Sequence, residues 1–215
     1  QIAAGPFGTY EALFGIGLSY GLTSGYDTVR MSSEIKDRLK KVAEALAWKE
    51  GGGHNKFLET ITLILDVDAP RYWWQEFDTY RVGITKQSES TIHTITKRPF
   101  DELDFMDGDI AGCILDELNK TRANYLKAEE KGDERMKEFY FRRLKCYLPE
   151  GFLQRRVVSA NAKCLKNIRE QRANHKLKEW RIFLGSIYQG LMTQSDENSD
   201  FLIRLIFRPE DVEFT

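Results

Sequence analysis

Residues 60–68 alternate with a period of two, and this alternation constrains the fold more than any other stretch of the chain. Ile61, Leu63, Leu65 and Val67 point one way, while Thr60, Thr62, Asp66 and Asp68 point the other. Successive side chains of a strand face opposite sides of a sheet, so the pattern predicts a half-buried strand ending at Ala69-Pro70. An aromatic cluster of Tyr72, Trp73, Trp74 and Phe77 follows. Such rings can stack on a planar ligand, but they more often form core.

Helical spacing appears on either side of this strand. Ile35, Leu39, Val42 and Leu46 form an apolar stripe that predicts a helix over 33–50, capped by Ser32 or Ser33 and stopped by Gly51-Gly52-Gly53. Residues 110–145 read as charged helices with a turn near Gly132, and Leu148-Pro149-Glu150-Gly151 breaks the chain. A second helical stretch is expected over 152–188, kinked or split. Residues 3–25 are rich in glycine and read as loop with short elements, and residues 83–97 as a polar loop leading into a short strand. The apolar run 201–207 has β propensity and reads as a late strand. With 215 residues, 41% of them hydrophobic, the chain can build one substantial core or two small ones. No linker, repeat or low-complexity tract divides it, so one α/β domain over 1–215 is expected.

Several function classes lack support. No Walker loop, GxGxxG, GxSxG or HExxH occurs. Cys113, Cys146 and Cys164 are odd in number and none lie at CxxC spacing, which argues against a disulfide framework or zinc site and for a reducing compartment. His54, His93 and His175 are far apart in sequence, so no metal is expected. No apolar run reaches the roughly 18 residues of a membrane span, and the N-terminus lacks the basic start and apolar core of a secretory signal, so a cytoplasmic protein is expected. The net charge of −1 gives no global footprint for nucleic acid.

Some residues attract chemistry locally. Nine basic side chains crowd residues 155–181, opposed only by Glu170 and Glu179. That is either a solvated helix surface or a face suited to phosphate. Asn161 and Asn167 are poor helix-interior residues that need a backbone or ligand partner. His54 and Glu59 flank a junction between helix and strand, either as plain turn and surface groups or as site residues. Residues 87–93 form a dense run of short hydrogen-bonding groups, able to wrap a polar ligand or to turn in solvent.

In their order along the chain these segments resemble the flavin-dependent thymidylate synthases. That family methylates dUMP using FAD, methylene-tetrahydrofolate and NADPH. Its His-x-Thr-x-x-Glu segment is similar to His54-Asn55-Lys56-Phe57-Leu58-Glu59, with Lys56 in place of the threonine. Its Arg-His-Arg triplet falls on Thr79-Tyr80-Arg81, of which only the last residue matches. Its Asn-Glu-x-Ser-x-Arg segment falls on Ser88-Glu89-Ser90-Thr91-Ile92-His93. Its Asn-Ala-Arg-x-Leu-x-Asn helix is similar to residues 161–167, with Lys163 for arginine, and Arg172 follows five residues on. Lys145 stands three positions before Leu-Pro, where the family has a phosphate-binding arginine.

The resemblance implies an α+β domain whose mostly antiparallel or mixed sheet packs against long helices. It implies a homotetramer with FAD held between subunits. His54, Lys56, Glu59, Thr79, Tyr80, Arg81, Asn161, Lys163 and Asn167 then fall on the flavin side. Glu76, Glu89, Ser90, Thr91, His93, Lys145 and Arg172 fall on the dUMP side, and Arg81 is the catalytic charge. The altered triplet leaves two alternatives open: a divergent pyrimidine-nucleotide C5-modifying enzyme, or a non-catalytic homologue that binds nucleotide or flavin. A third, from another class, is a helical interaction module that uses the basic face.

Overall fold

The computed structural model describes residues 1–23, 31–49 and 53–209. The chain is α+β. Among the described residues, four strands, β1 (Ile2–Phe7), β2 (Thr62–Pro70), β3 (Ile84–Ser88) and β4 (Leu153–Asn161), join in one sheet in the order β1-β2-β4-β3. β1 runs antiparallel to β2, with Ile2 opposite Leu65 and Phe7 opposite Thr62. Backbone bonds Ala162 N–H to Ile61 O and Arg71 N–H to Phe152 O share one antiparallel register, so β4 opposes β2. Asn161 N–H to Gly83 O and Glu89 N–H to Arg155 O do the same for β4 and β3.

The chain forms two compact units. The first comprises residues 1–67, 80–86 and 157–215, and the second residues 68–79 and 87–156. Their boundaries fall inside β2, β3 and β4.

In the first unit the alternation of residues 60–68 is realised. Ile61, Leu63 and Leu65 are buried, and Val67 is half-buried. Helix α1 (Thr9–Ser19) and helix α2 (Ser33–Ala47) pack together. The Ser32 hydroxyl caps α2 by accepting the Ile35 N–H at 3.3 Å, as its sequence suggests. The expected stripe is shifted. Leu39, Ala43 and Ala47 are buried deepest, while Ile35, Val42 and Leu46 are half-buried. Of the glycine stop, only Gly53 lies within the described residues, at φ +66°.

Three expectations are corrected here. Residues 2–19 are not loop but β1 and α1. Their glycines mark close approaches rather than disorder: a Cβ on Gly8, at φ +76°, would lie 2.3 Å from Thr60 O. Residues 24 and 25 of that expected loop lie outside the described residues. The expected long helix over 152–188 is instead β4, then helix α7 (Ala162–Arg172) and helix α8 (Lys178–Gln194). β-Branched Val157 and Val158 follow the two arginines, and Val158 and Ala160 alternate inward, fully buried. The expected late strand over 201–207 is helix α9 (Glu197–Ile206). Its buried Phe201, Leu202, Leu205 and Ile206 recur at helical spacing, and Asp196 caps it by accepting the N–H groups of Asn198 and Ser199. Tertiary packing and a strong cap override the β propensity of its residues.

The second unit carries helix α3 (Arg71–Phe77), helix α4 (Thr91–Thr94), helix α5 (Gly112–Glu130) and helix α6 (Glu134–Tyr147). The expected pair of charged helices with a turn near Gly132 is present as α5 and α6. The expected loop-then-strand over 83–97 is reversed, because β3 comes first and α4 follows. The aromatic run is core. Trp73, Trp74 and Phe77 are buried, with Trp73 and Phe77 stacked at 4.9 Å between centroids. The Trp74 indole N–H bonds Gln154 O at 2.8 Å, and the Arg156 guanidinium lies 4.2 Å over its ring. A separate cluster gathers Ile95, Phe100, Phe105, Leu118, Leu144 and Leu148. Among the described residues, no helix is long and apolar enough to cross a membrane.

In the first unit α2 and α9 are also joined by charge. Glu197 accepts from Lys36 at 2.6 Å and from the buried Lys40. Their hydrogen bonds pull the Glu197 carboxyl down to about 2 from its usual 4.5. A depressed carboxyl stabilises the fold above its unfolded pKa, and that contribution fades as pH falls through the folded value. Glu197→Gln is therefore expected to lower the urea midpoint at neutral pH. The gap from wild type should close between about pH 4.5 and about 2. A gap that persisted in acid would remove the ion pairs as its cause.

Candidate functional site

In the first unit the candidate residues gather around α7. β4 ends at Asn161, whose main-chain N–H bonds Gly83 O at 2.9 Å. The Asn161 side-chain oxygen then accepts the Cys164 N–H at 2.9 Å and caps the helix. This resolves the question raised by its sequence position: Asn161 is a cap, not a helix-interior residue. Gly83, at φ +74°, lies so close that an added Cβ would come 2.3 Å from Asn161 Nδ2. Lys163, in the first turn of α7, forms an ion pair with Glu59 at 2.5 Å. Cys164 is buried, and desolvation pushes its thiol up to about 11.

Lys163, Asn167 and Gln171 recur every four residues, so they share one face of α7. Near its C-terminal end, Gln171 donates its amide to Asn167 Oδ1 at 3.0 Å. The Tyr80 hydroxyl donates to Gln171 Oε1 and accepts from Arg172 Nε, both at 2.9 Å. Tyr80 is buried, whereas its neighbour Arg81 is exposed.

His54 and Lys56 are exposed and line a groove of about 570 Å³ in the same unit. Its other wall is α1, through Glu11, Gly15, Ser19 and Tyr20. Sequence reasoning missed these α1 residues, because a glycine-rich segment read as loop gives no face to examine. It also missed Gly83 and Gln171. The i, i+4 spacing of Gln171 from Asn167 was the available signal.

In the second unit, Lys145 lies in the last turn of α6 and donates to Thr91 Oγ1 at 2.5 Å. Its ammonium is held below the usual lysine range, first by burial and then by the charge of Arg71. Arg71, which was not singled out by sequence, is itself paired with Glu150 at 3.4 Å and donates to Leu148 O at 3.1 Å. Ser90 precedes α4, where its carbonyl accepts the Thr94 hydroxyl at 3.0 Å, and His93 is exposed. Exposed Glu89 lines a cavity of about 220 Å³ with Asp68, Arg98, Asp104 and Arg155. Thr79 ends α3 with its hydroxyl on the Glu76 carbonyl at 2.7 Å, and Glu76 is half-buried.

The basic face expected over 155–181 is not one face. Arg155 and Arg156 belong to β4, and Arg156 pairs with Asp78 at 3.0 Å. Lys166 and Arg169 are buried against Trp48, at 4.4 and 5.8 Å from its ring. Arg172 lies 4.8 Å over Trp180. The exposed members, Arg155, Lys176, Lys178 and Arg181, lie on β4, in the segment between α7 and α8, and on α8.

The architecture matches solved structures. The chain is similar, over 94% of its length and 96% of the other chain, to the flavin dependent thymidylate synthase ThyX of Helicobacter pylori, solved in complex with FAD and dUMP. The TM-score is 0.64 and the sequence identity 15%. A second structure of the Helicobacter pylori enzyme with FAD and dUMP matches at TM-score 0.55 and 16% identity, covering 93% of this chain and 92% of that one. No protein-family model matches the sequence, and no curated protein sequence matches it. The chain therefore has the fold of the flavin-dependent thymidylate synthases.

The packing of Gly83 on Asn161 gives a direct test of the α7 junction. Gly83→Ala forces a side chain into the left-handed region and displaces the cap. The expected loss is about 2–3 kcal/mol, from strain of about 1–2 and a cap of about 1 kcal/mol. An unchanged denaturation midpoint would show that the cap does not depend on this approach.

Proposed function

We propose that this chain, as a single synthase-like domain, is a flavin-dependent thymidylate synthase. It converts dUMP to dTMP with FAD, methylene-tetrahydrofolate as carbon donor and NADPH as reductant. The observation that carries the reading is the likeness over 94% of the chain to an enzyme solved with FAD and dUMP. The local arrangement supports it. A large groove bears Lys56, His54 and Tyr20, and the capped start of α7 bears Lys163. Donors at a helix start and cations nearby fit the phosphates of a dinucleotide, and an aromatic wall fits a planar ring.

FAD, when bound and reduced by NADPH, would supply carbon transfer from the folate to uracil C5 and the hydride that completes the methyl group, while the protein would bind, orient and polarise. His54, Lys56, Glu59, Asn161, Lys163 and Asn167 hold the flavin, with Thr79 and Tyr80 standing where the family's triplet begins. Lys145, Thr91, Glu89, Ser90, His93 and Glu76 serve the nucleotide, as does Arg172. The Lys145 ammonium is partly desolvated, which strengthens its attraction for phosphate. Arg81 is exposed and permanently charged, and it stabilises negative charge developing on the uracil ring. The assembly is a homotetramer with its sites between subunits, located in the cytoplasm.

The first test is the visible spectrum of the purified protein with added FAD and dUMP. An oxidised-flavin spectrum that shifts on adding dUMP is expected; no flavin binding at saturating FAD would end this reading. Arg81→Ala is expected to lower turnover on the order of a hundredfold while leaving flavin bound. Full turnover in that variant would remove Arg81 from the chemistry.

A further inference from the structure

The direction of the hydrogen bonds along α7 is set from one end. Arg172 Nε donates to the Tyr80 hydroxyl at 2.9 Å, and a guanidinium has no lone pair with which to accept. The one hydroxyl hydrogen of Tyr80 is given to Gln171 at 2.9 Å, so the atom of that amide facing it is Oε1. The amide nitrogen lies on the other side and donates to Asn167 at 3.0 Å, so the atom facing it there is Oδ1. An isolated asparagine amide can turn over and offer oxygen or nitrogen alike. Here an obligate donor at the start of the relay decides which end is which. The Asn167 oxygen is engaged by Gln171, and its Nδ2 hydrogens face away from that bond. Asn167 and Gln171 are both exposed, four residues apart on the face of α7 that also bears Lys163.

We propose that Gln171 is a positioning residue, which orients the Asn167 amide so that α7 presents a donor to a bound flavin dinucleotide. The group this selects is an acceptor: a carbonyl oxygen or an unprotonated ring nitrogen. The proposal rests on the reading of Asn167 as a flavin-binding residue. Tyr80, in the middle of the altered triplet, has a part in it, because its hydroxyl hydrogen is what turns Gln171. Fixing the amide before binding removes an ordering cost that the ligand would otherwise meet.

Gln171→Met keeps the length of the side chain and deletes both of its hydrogen bonds. By calorimetry its FAD dissociation constant is expected to rise roughly three- to tenfold, the worth of about one hydrogen bond. In an Asn167→Ala background, adding Gln171→Met should cost nothing further, because the glutamine acts through the asparagine. A glutamine that merely steadied the helix would cost the same in both backgrounds. A second reading needs no ligand. In FAD-free wild-type protein the ¹⁵N order parameter of the Asn167 side-chain amide should be near the rigid value of about 0.85, and in Gln171→Met below about 0.6.

Equal FAD affinity in wild type and Gln171→Met overturns the proposal while the synthase reading stands. A loss that persists in full in the Asn167→Ala background does the same, and so does an Asn167 amide as mobile in wild type as in Gln171→Met. If Asn167→Ala binds FAD as wild type does, the flavin assignment of Asn167 fails and this proposal fails with it. If wild-type protein binds no FAD at all, the synthase reading itself is lost, and the proposal with it.

Discussion

The junction between β4 and α7 is the constraint on which the candidate site depends. A strand passes into a helix with no intervening loop, so its last residue must serve both. Asn161 does so: its main chain still pairs with Gly83, while its side chain already caps the helix. The cap satisfies one of the N–H groups that a helix start leaves open. The close approach of Gly83 leaves the asparagine little room to turn away. The direction of α7 follows, and with it the face that carries Lys163, Asn167 and Gln171.

Electrostatics are arranged by pairing rather than by accumulation. Lys163 is matched by Glu59, Lys166 by Glu170, and Arg156 by Asp78. Lys166, Arg169 and Arg208 surround Trp48, whose ring face attracts cations. Long basic side chains are thus buried beside a carboxylate or a ring face. Lys145 is treated differently: its partner is a hydroxyl and its charged neighbour is the cation Arg71. That environment disfavours the ammonium, first through burial and then through Arg71, which is itself paired with Glu150.

Much of the fold was legible where a short-range pattern matched the final environment. The alternation at 61–65 became β2, the Ser32 cap began α2, and the charged pair with its turn at Gly132 became α5 and α6. The failures share a cause. Glycines before residue 20 looked like loop because sequence does not reveal that a neighbouring carbonyl excludes a Cβ. Residues 153–161 looked helical because their arginines hid the inward Val158 and Ala160. Residues 201–206 looked extended because β propensity is a weak preference that packing reverses. At the candidate site, residue types carried the resemblance, but Gly83, Gln171, Arg71 and the α1 wall were invisible without coordinates.

The sequence by itself determined the class of fold, the strand that anchors it, the caps, and an ordered set of polar residues similar to those of one enzyme family. These follow from periodicity and local hydrogen bonding, which act over a few residues. Tertiary structure alone decided which of those polar groups satisfy one another. Glu59 pairs with Lys163 across 104 residues, and the Tyr80 hydroxyl joins Gln171 to Arg172 across 91 and 92 residues of chain. Such pairings depend on distance and direction in space, because a buried donor or acceptor must find whichever partner the packed backbone brings within about 3 Å.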